Sequence, residues 1–133
     1  MFTQDIRIGF RQCDPAGIIF FAEYFNYAQF VFEEFLYSAE FRKDYFWKDN
    51  YAMPLFDVSA KYHKPVFFND MLEVQVSVGE IRQSSFSMQY KFLRNGELCA
   101  EVKCIHVFLD KSLWKKITLT DEFRVFLSKH LVK

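Results

Sequence analysis

Gln12-Cys13-Asp14-Pro15-Ala16-Gly17-Ile18-Ile19-Phe20-Phe21 runs directly into an apolar segment over residues 22–36. It sets a carboxylate on a restrained turn just before a helix. Pro15 fixes its own φ and pushes Asp14 out of the α region, so the aspartate is not absorbed into the helix. Gly17 permits a backbone conformation, or a close approach by a ligand, that a Cβ blocks. A few residues later the unpaired N–H groups of a helix N-terminus become available to an anion or a polarised carbonyl oxygen. A carboxylate facing such donors is the minimum equipment for hydrolysing an acyl bond. On turn chemistry alone, Asp-Pro-Ala-Gly is equally an ordinary turn.

Working outward, residues 2–10 read as a first strand, with Ile6, Ile8 and Phe10 sharing a face. Residues 22–36 are helical by length and apolar nearly all round, and such a helix is buried on most sides. Asn26, Gln29 and Glu33 form its polar stripe. Residues 39–47 read as a second, amphipathic helical piece. From Leu55 onward the period changes to two. Phe56, Val58, Ala60 and Tyr62 share a face, then Leu72, Val74, Val76 and Val78, then Phe86, Met88, Tyr90 and Phe92. Asn95-Gly96 signals a type I′ hairpin, residues 98–109 return as a strand, and Thr120 caps a final helix. The order is strand, apolar helix, four strands, short helix. An antiparallel sheet with one apolar helix must wrap that helix to hide it.

The 133 residues suit one domain over 1–133, with 51% apolar side chains supplying a core without disulfides or metal. The formal net charge is zero and no block of like charges occurs, which argues against nucleic acid or an anionic membrane as a partner. No apolar run reaches the ~20 residues that span a bilayer, and no signal-peptide pattern opens the chain. Three cysteines without a CxxC pair suit a reducing compartment. The chain reads as cytoplasmic. His63, His106 and His130 lack metal-ligand spacing, so no metal is expected. No Gly-x-Ser-x-Gly elbow is present, which removes that route to ester cleavage.

The opening segment resembles that of the 4-hydroxybenzoyl-CoA thioesterase family, whose pattern is Asp-Cys-Asp-Pro-Ala-Gly-Ile-Val, two aromatics and a helix. Gln12 replaces the first Asp. The resemblance continues through Ala60-Lys61-Tyr62-His63-Lys64-Pro65, Asn69-Asp70-Met71-Leu72-Glu73-Val74, Arg82-Gln83-Ser84-Ser85-Phe86 and Cys104-Ile105-His106-Val107-Phe108. Gln83 stands where relatives carry a second basic residue, and Asn69 where Gly or Asp is common. The resemblance implies an α+β hotdog fold, a five-stranded antiparallel sheet wrapped around a long central helix. It also implies hydrolysis of an acyl-CoA thioester, with no cofactor because CoA is part of the substrate.

Under that resemblance Asp14 attacks the thioester carbonyl or activates the water that does. The Phe21 backbone N–H polarises the thioester oxygen. Gly17, Phe20, Tyr24 and Phe25 border the acyl group, aromatic or alkyl. Arg82, Ser84, Ser85, Lys115 and Lys116 meet the CoA phosphates, a task for which Arg and Lys are apt. Glu33 is the second-choice carboxylate, and Cys13, without a neighbouring histidine, reads as a packing residue. A homodimer or homotetramer is implied, because hotdog sites form between subunits. The alternatives are a non-catalytic acyl-thioester binder, a hotdog hydratase, and a thioesterase whose thiol carrier is acyl-carrier protein.

Overall fold

Alternating side chains from Leu55 onward pair into one sheet, and the helix that precedes them closes its apolar face. The computed structural model describes residues 1–132. Its elements are β1 (Phe2–Arg7), α1 (Glu23–Tyr37), β2 (Tyr51–Ala52), β3 (Leu55–Tyr62), β4 (Met71–Ile81), β5 (Ser85–Arg94), β6 (Glu97–Val107), β7 (Leu109–Asp110), β8 (Lys115–Lys116) and α2 (Asp121–Ser128). The order β1-β4-β5-β6-β3 makes a five-stranded antiparallel sheet, and β2-β7-β8 makes a small second sheet that periodicity does not announce.

The strands β4, β5 and β6 match the expected alternation. Val74, Val76 and Val78 of β4 and Phe86, Met88, Tyr90 and Phe92 of β5 are buried, in one core with Val31, Phe32, Phe35 and Leu36 of α1. Asn95 and Gly96 both have positive φ, 51° and 81°, the two left-handed positions that a type I′ turn demands. Arg94 pairs with Glu97 across it. Thr120 caps α2 by accepting the Phe123 N–H at 3.2 Å.

Four expectations change. The first strand stops at Arg7, and the chain coils into a 3-10 turn over Phe10–Gln12. Ile6 and Ile8 are buried, whereas Phe10 is 76% exposed against Phe68. Residues 39–47 form no helix. The N–H groups of Arg42 and Lys43 donate to the Glu122 carboxylate of α2, and those of Phe46, Trp47 and Lys48 donate to Asp44. Those donors are then lost to an i→i−4 ladder. The helix α1 is 15 residues, four turns, rather than long. On its outer side Phe30 and Tyr37 stay exposed. Finally, a register shift between Leu55 and Asp57 breaks the alternation of β3, leaving Phe56 74% exposed at the sheet edge.

His106 belongs to the core. It stacks on both Phe32 (4.5 Å between centroids) and Phe86 (4.9 Å), and its Nδ1 donates to the Met53 carbonyl at 2.9 Å. Burial pushes its pKa below the ordinary 6.5. The unfolded chain therefore takes up a proton that the native state declines. Stability is lost as pH falls through 6.5 and levels off below the depressed native value. Urea unfolding at about pH 7.5 and about pH 5.5 will find the parent weaker in acid, by at most about 1.4 kcal/mol per pH unit from this group. His106→Leu, though weaker throughout, will show a smaller acid loss, with His130, also depressed by burial, supplying a remainder. An undiminished acid loss in that variant rules His106 out as its source.

Candidate active site

The turn that carries Asp14 closes on itself. The Asp14 N–H donates to the Ile18 carbonyl (2.8 Å) and the Gly17 N–H to the Asp14 carbonyl (2.9 Å), while Cys13 and Ile19 form an antiparallel bridge. Gly17 sits at φ +79°, and a Cβ there meets nothing within 4 Å. Its requirement is the left-handed backbone, not room for a neighbour. The carboxylate is fixed at one oxygen, where Oδ1 accepts from the Ala16 N–H (2.9 Å) and the Ile18 N–H (3.2 Å). Among the described residues nothing engages Oδ2, and the side chain is exposed.

A second loop braces this turn. Ile18 bridges Phe67, the Ile19 N–H donates to the Val66 carbonyl (2.8 Å), and the Phe68 N–H donates to the Gly17 carbonyl (3.0 Å). That loop is tied to the sheet by Asp70, whose Oδ2 accepts from Arg94 Nη1 (2.7 Å) and from the Phe67 N–H (2.9 Å). Arg94 also donates to the Pro65 carbonyl (3.0 Å). Arg94 and Asp70 were not expected as supports, because the residues they join lie 24 apart in sequence.

The start of α1 follows at once. Its N-cap is Ala22, which offers no side-chain acceptor. The Phe21 N–H has no hydrogen-bond partner among the described residues, while the neighbouring Phe20 and Glu23 N–H groups are used by Gln12 and Phe20 carbonyls. An open cavity of about 300 Å³ adjoins this point, bordered by Ile18, Phe21, Tyr24, Tyr62, Pro65 and Val66 among others. Of the residues expected around the acyl group, Tyr24 borders the cavity. Phe20 turns outward against Phe21, and Phe25 packs half-buried on the core. Glu33 lies ten residues along α1 from Glu23, about 15 Å away. The Cys13 thiol is pushed up by burial, then by Asp14 and Asp70, so it stays protonated and inert.

The residues expected at CoA gather elsewhere. Arg82, Ser85 and Lys116 border one cavity of about 280 Å³ with Ser87, Lys103 and Phe56. Ser84 and Lys115 are not in its lining. Lys103, which was not anticipated, joins because it stands on β6 beside β5 (Lys103 opposite Gln89). Ser85, Ser87 and Lys103 alternate with core-facing Phe86, Met88 and Cys104, so this cavity opens on the sheet face away from α1. Tyr24 packs on Phe92, seven residues along β5 from Ser85, a distance of about 23 Å. One chain therefore places Tyr24 and the cationic cluster on opposite faces of the sheet.

Among the described residues no group of His, Cys, Asp and Glu could hold a metal ion. Nor, among the described residues, is any helix long and apolar enough to cross a membrane.

The turn thus holds a carboxylate at one oxygen, and seven positions later a helix-start N–H stays free among the described residues next to an open cavity. Residues 8–127 match the thioesterase-like superfamily, and the chain belongs to it. A 1,4-dihydroxy-2-naphthoyl-CoA hydrolase of Prochlorococcus marinus (strain NATL2A) is 27% identical over 128 residues, covering 90% of this chain and 83% of that protein. The corresponding hydrolase of Nostoc punctiforme is 27% identical over 122 residues, covering 91% and 82%. The crystal structure of a 1,4-dihydroxy-2-naphthoyl-CoA thioesterase from Synechocystis shares the fold, with a TM-score of 0.86 at 20% identity, covering 96% of this chain and 95% of that one. A gentisyl-coenzyme A thioesterase superposes with a TM-score of 0.83 at 20% identity, covering 93% and 98%. The hotdog architecture expected from the resemblance is thus shared with solved thioesterases, and a likeness to 4-hydroxybenzoyl-CoA thioesterase in particular is not among these findings.

Proposed function

We propose that this chain hydrolyses an aromatic acyl-CoA thioester, with Asp14 as nucleophile or general base and the Phe21 N–H as the donor to the thioester oxygen. The observation that carries it is the free Asp14 Oδ2 on a turn whose other oxygen is pinned, seven positions before an N–H unpaired among the described residues. A main-chain donor aimed at developing negative charge is worth most where water is kept away, and an acyl group seated against Ile18, Pro65 and Val66 would displace water from the open cavity. The aromatic acyl group is favoured by the ring-bearing substrates named for the relatives. In the hydratase alternative a histidine must face the acyl chain, but His63, which borders the cavity, turns its Nε2 to Glu101 at 2.9 Å. A panel of aromatic (4-hydroxybenzoyl included), short and long acyl-CoAs, followed by release of free thiol, tests the proposal. Turnover confined to aliphatic esters overturns the aromatic reading.

The CoA phosphates are assigned to the cationic cavity of Arg82, Lys103 and Lys116. Because that cavity opens on the sheet face away from α1, whose start follows Asp14, Asp14 of one chain is paired with the cationic cavity of another copy. The uncovered edge strand β3 offers a place for a second copy to pair. Arg82→Ala and Lys116→Ala will raise KM for CoA esters about tenfold with little change in kcat, since distant phosphates give uniform binding. Lys115→Ala will do less. A pantetheine ester without the nucleotide will not distinguish Arg82→Ala and Lys116→Ala from the parent, and equal losses on both substrates count against phosphate contact.

A further inference from the structure

Three tyrosines of this chain are buried, Tyr24, Tyr45 and Tyr90. The Tyr45 hydroxyl is satisfied by Thr120 Oγ1 (2.7 Å) and Glu122 Oε1 (2.8 Å). Those of Tyr24 and Tyr90 have no hydrogen-bond partner among the described residues, and of these two only Tyr24 borders the cavity beside the Phe21 N–H. The Tyr24 ring is fixed by an edge contact to Phe92 (5.2 Å, 83°) and by Tyr62 (5.3 Å), and the residue is only 3% exposed. Tyr62, by contrast, spends its own hydroxyl on the Phe21 carbonyl (3.3 Å).

The Tyr24 hydroxyl is not sealed from the cavity, because among the described residues His130 Nδ1 is the sealed side-chain polar atom without a partner. A ligand atom seated in the cavity can take the bond that no described residue supplies. Ile18, Ile19, Pro65 and Val66 make the neighbouring wall apolar, and His63 and Lys64 complete the lining. We infer that the Tyr24 phenol is a specificity-determining hydrogen-bond donor to an oxygen substituent on the ring of the acyl group, an inference that rests on the aryl-thioesterase reading above. Burial, reinforced by Cys99 and Tyr62, holds the phenol pKa above its ordinary value, so the hydroxyl remains a donor across the working pH range. A site that bonds a substrate hydroxyl discriminates against the analogue lacking it, because its own polar group is then stranded.

The test is Tyr24→Phe, assayed with 2-, 3- and 4-hydroxybenzoyl-CoA and 1,4-dihydroxy-2-naphthoyl-CoA against benzoyl-CoA and 2-naphthoyl-CoA. The parent will prefer at least one hydroxylated ester over its unsubstituted counterpart, in kcat/KM, by about tenfold or more. In the variant that ratio will fall toward one. Because the hydroxyl bonds to no protein group, Tm will stay level or rise. A uniform loss across all esters overturns the inference by placing Tyr24 at the thioester carbonyl or in the scaffold. An unchanged ratio overturns it, and so does a variant that unfolds or loses Tm, since it has then lost an internal hydrogen bond. If the parent cleaves aliphatic esters alone, the aryl reading falls and the inference with it. Aryl turnover with an unchanged ratio removes the inference only.

Discussion

Asp14→Asn will fold as the parent does and lose ~10²-fold or more of its turnover on a CoA thioester, as expected when a positioned base or nucleophile is removed. Asparagine is the informative replacement. Its Oδ1 can still accept the Ala16 and Ile18 N–H groups that hold the turn, at 2.9 and 3.2 Å in the parent. What disappears is the charge on the second oxygen, which no described residue engages. Asp14→Ala will lose at least as much activity, and it also releases both N–H groups, so the turn loosens. Comparing the two separates chemistry from scaffolding: equal Tm for parent and Asn variant, with thiol release collapsed, assigns the loss to the carboxylate. Near-normal hydrolysis by the folded Asn variant removes Asp14 from the mechanism. Glu33 is then the carboxylate to replace, although it sits about 15 Å along α1.

Phe21→Leu and Phe21→Pro will differ widely in rate while both stay folded. The Phe21 ring is 59% exposed, so trading it for leucine removes little packing. The proposed contribution is its backbone N–H, free among the described residues, which leucine keeps and proline deletes. Loss of one oxyanion donor costs ~10²–10³ in kcat. A position just ahead of a helix tolerates proline, because its N–H has no place in the helical ladder. Phe21→Leu is therefore expected near the parent rate and Phe21→Pro lower by about that factor. Circular dichroism and sizing establish that both retain fold and assembly. Similar rates in two folded variants place the thioester oxygen elsewhere.

Both predictions concern a segment that was readable as a string. Asp14, Pro15 and Gly17 specify a turn by covalent geometry and local sterics, and the structure has the turn with Gly17 in the left-handed region. The helix after it, the strands of period two, the Asn95-Gly96 hairpin and the Thr120 cap were legible for the same reason. Each depends on residues no more than a few positions apart. Of the residues expected to gather around phosphates, Arg82, Ser85 and Lys116 border one cavity, whereas Ser84, just ahead of β5, and Lys115, the alternate neighbour of Lys116 on β8, do not.

By itself, then, the sequence determined the local conformations and the carboxylate ahead of an apolar helix. Those follow from dihedral preference and hydrophobic period alone. Tertiary structure decided what long-range partners control. Residues 39–47 carry a helical pattern, yet Glu122, some 80 positions later, takes the N–H groups of Arg42 and Lys43. Phe10 and Phe56 carry the right period, yet a 3-10 turn and a register shift put both outside the core. Lys103 enters the cationic cavity, and Tyr24 keeps an unpaired hydroxyl, through packing that joins separate strands and the helix. In each case a hydrogen bond or buried contact from a distant segment outweighed a local preference of about 1 kcal/mol or less.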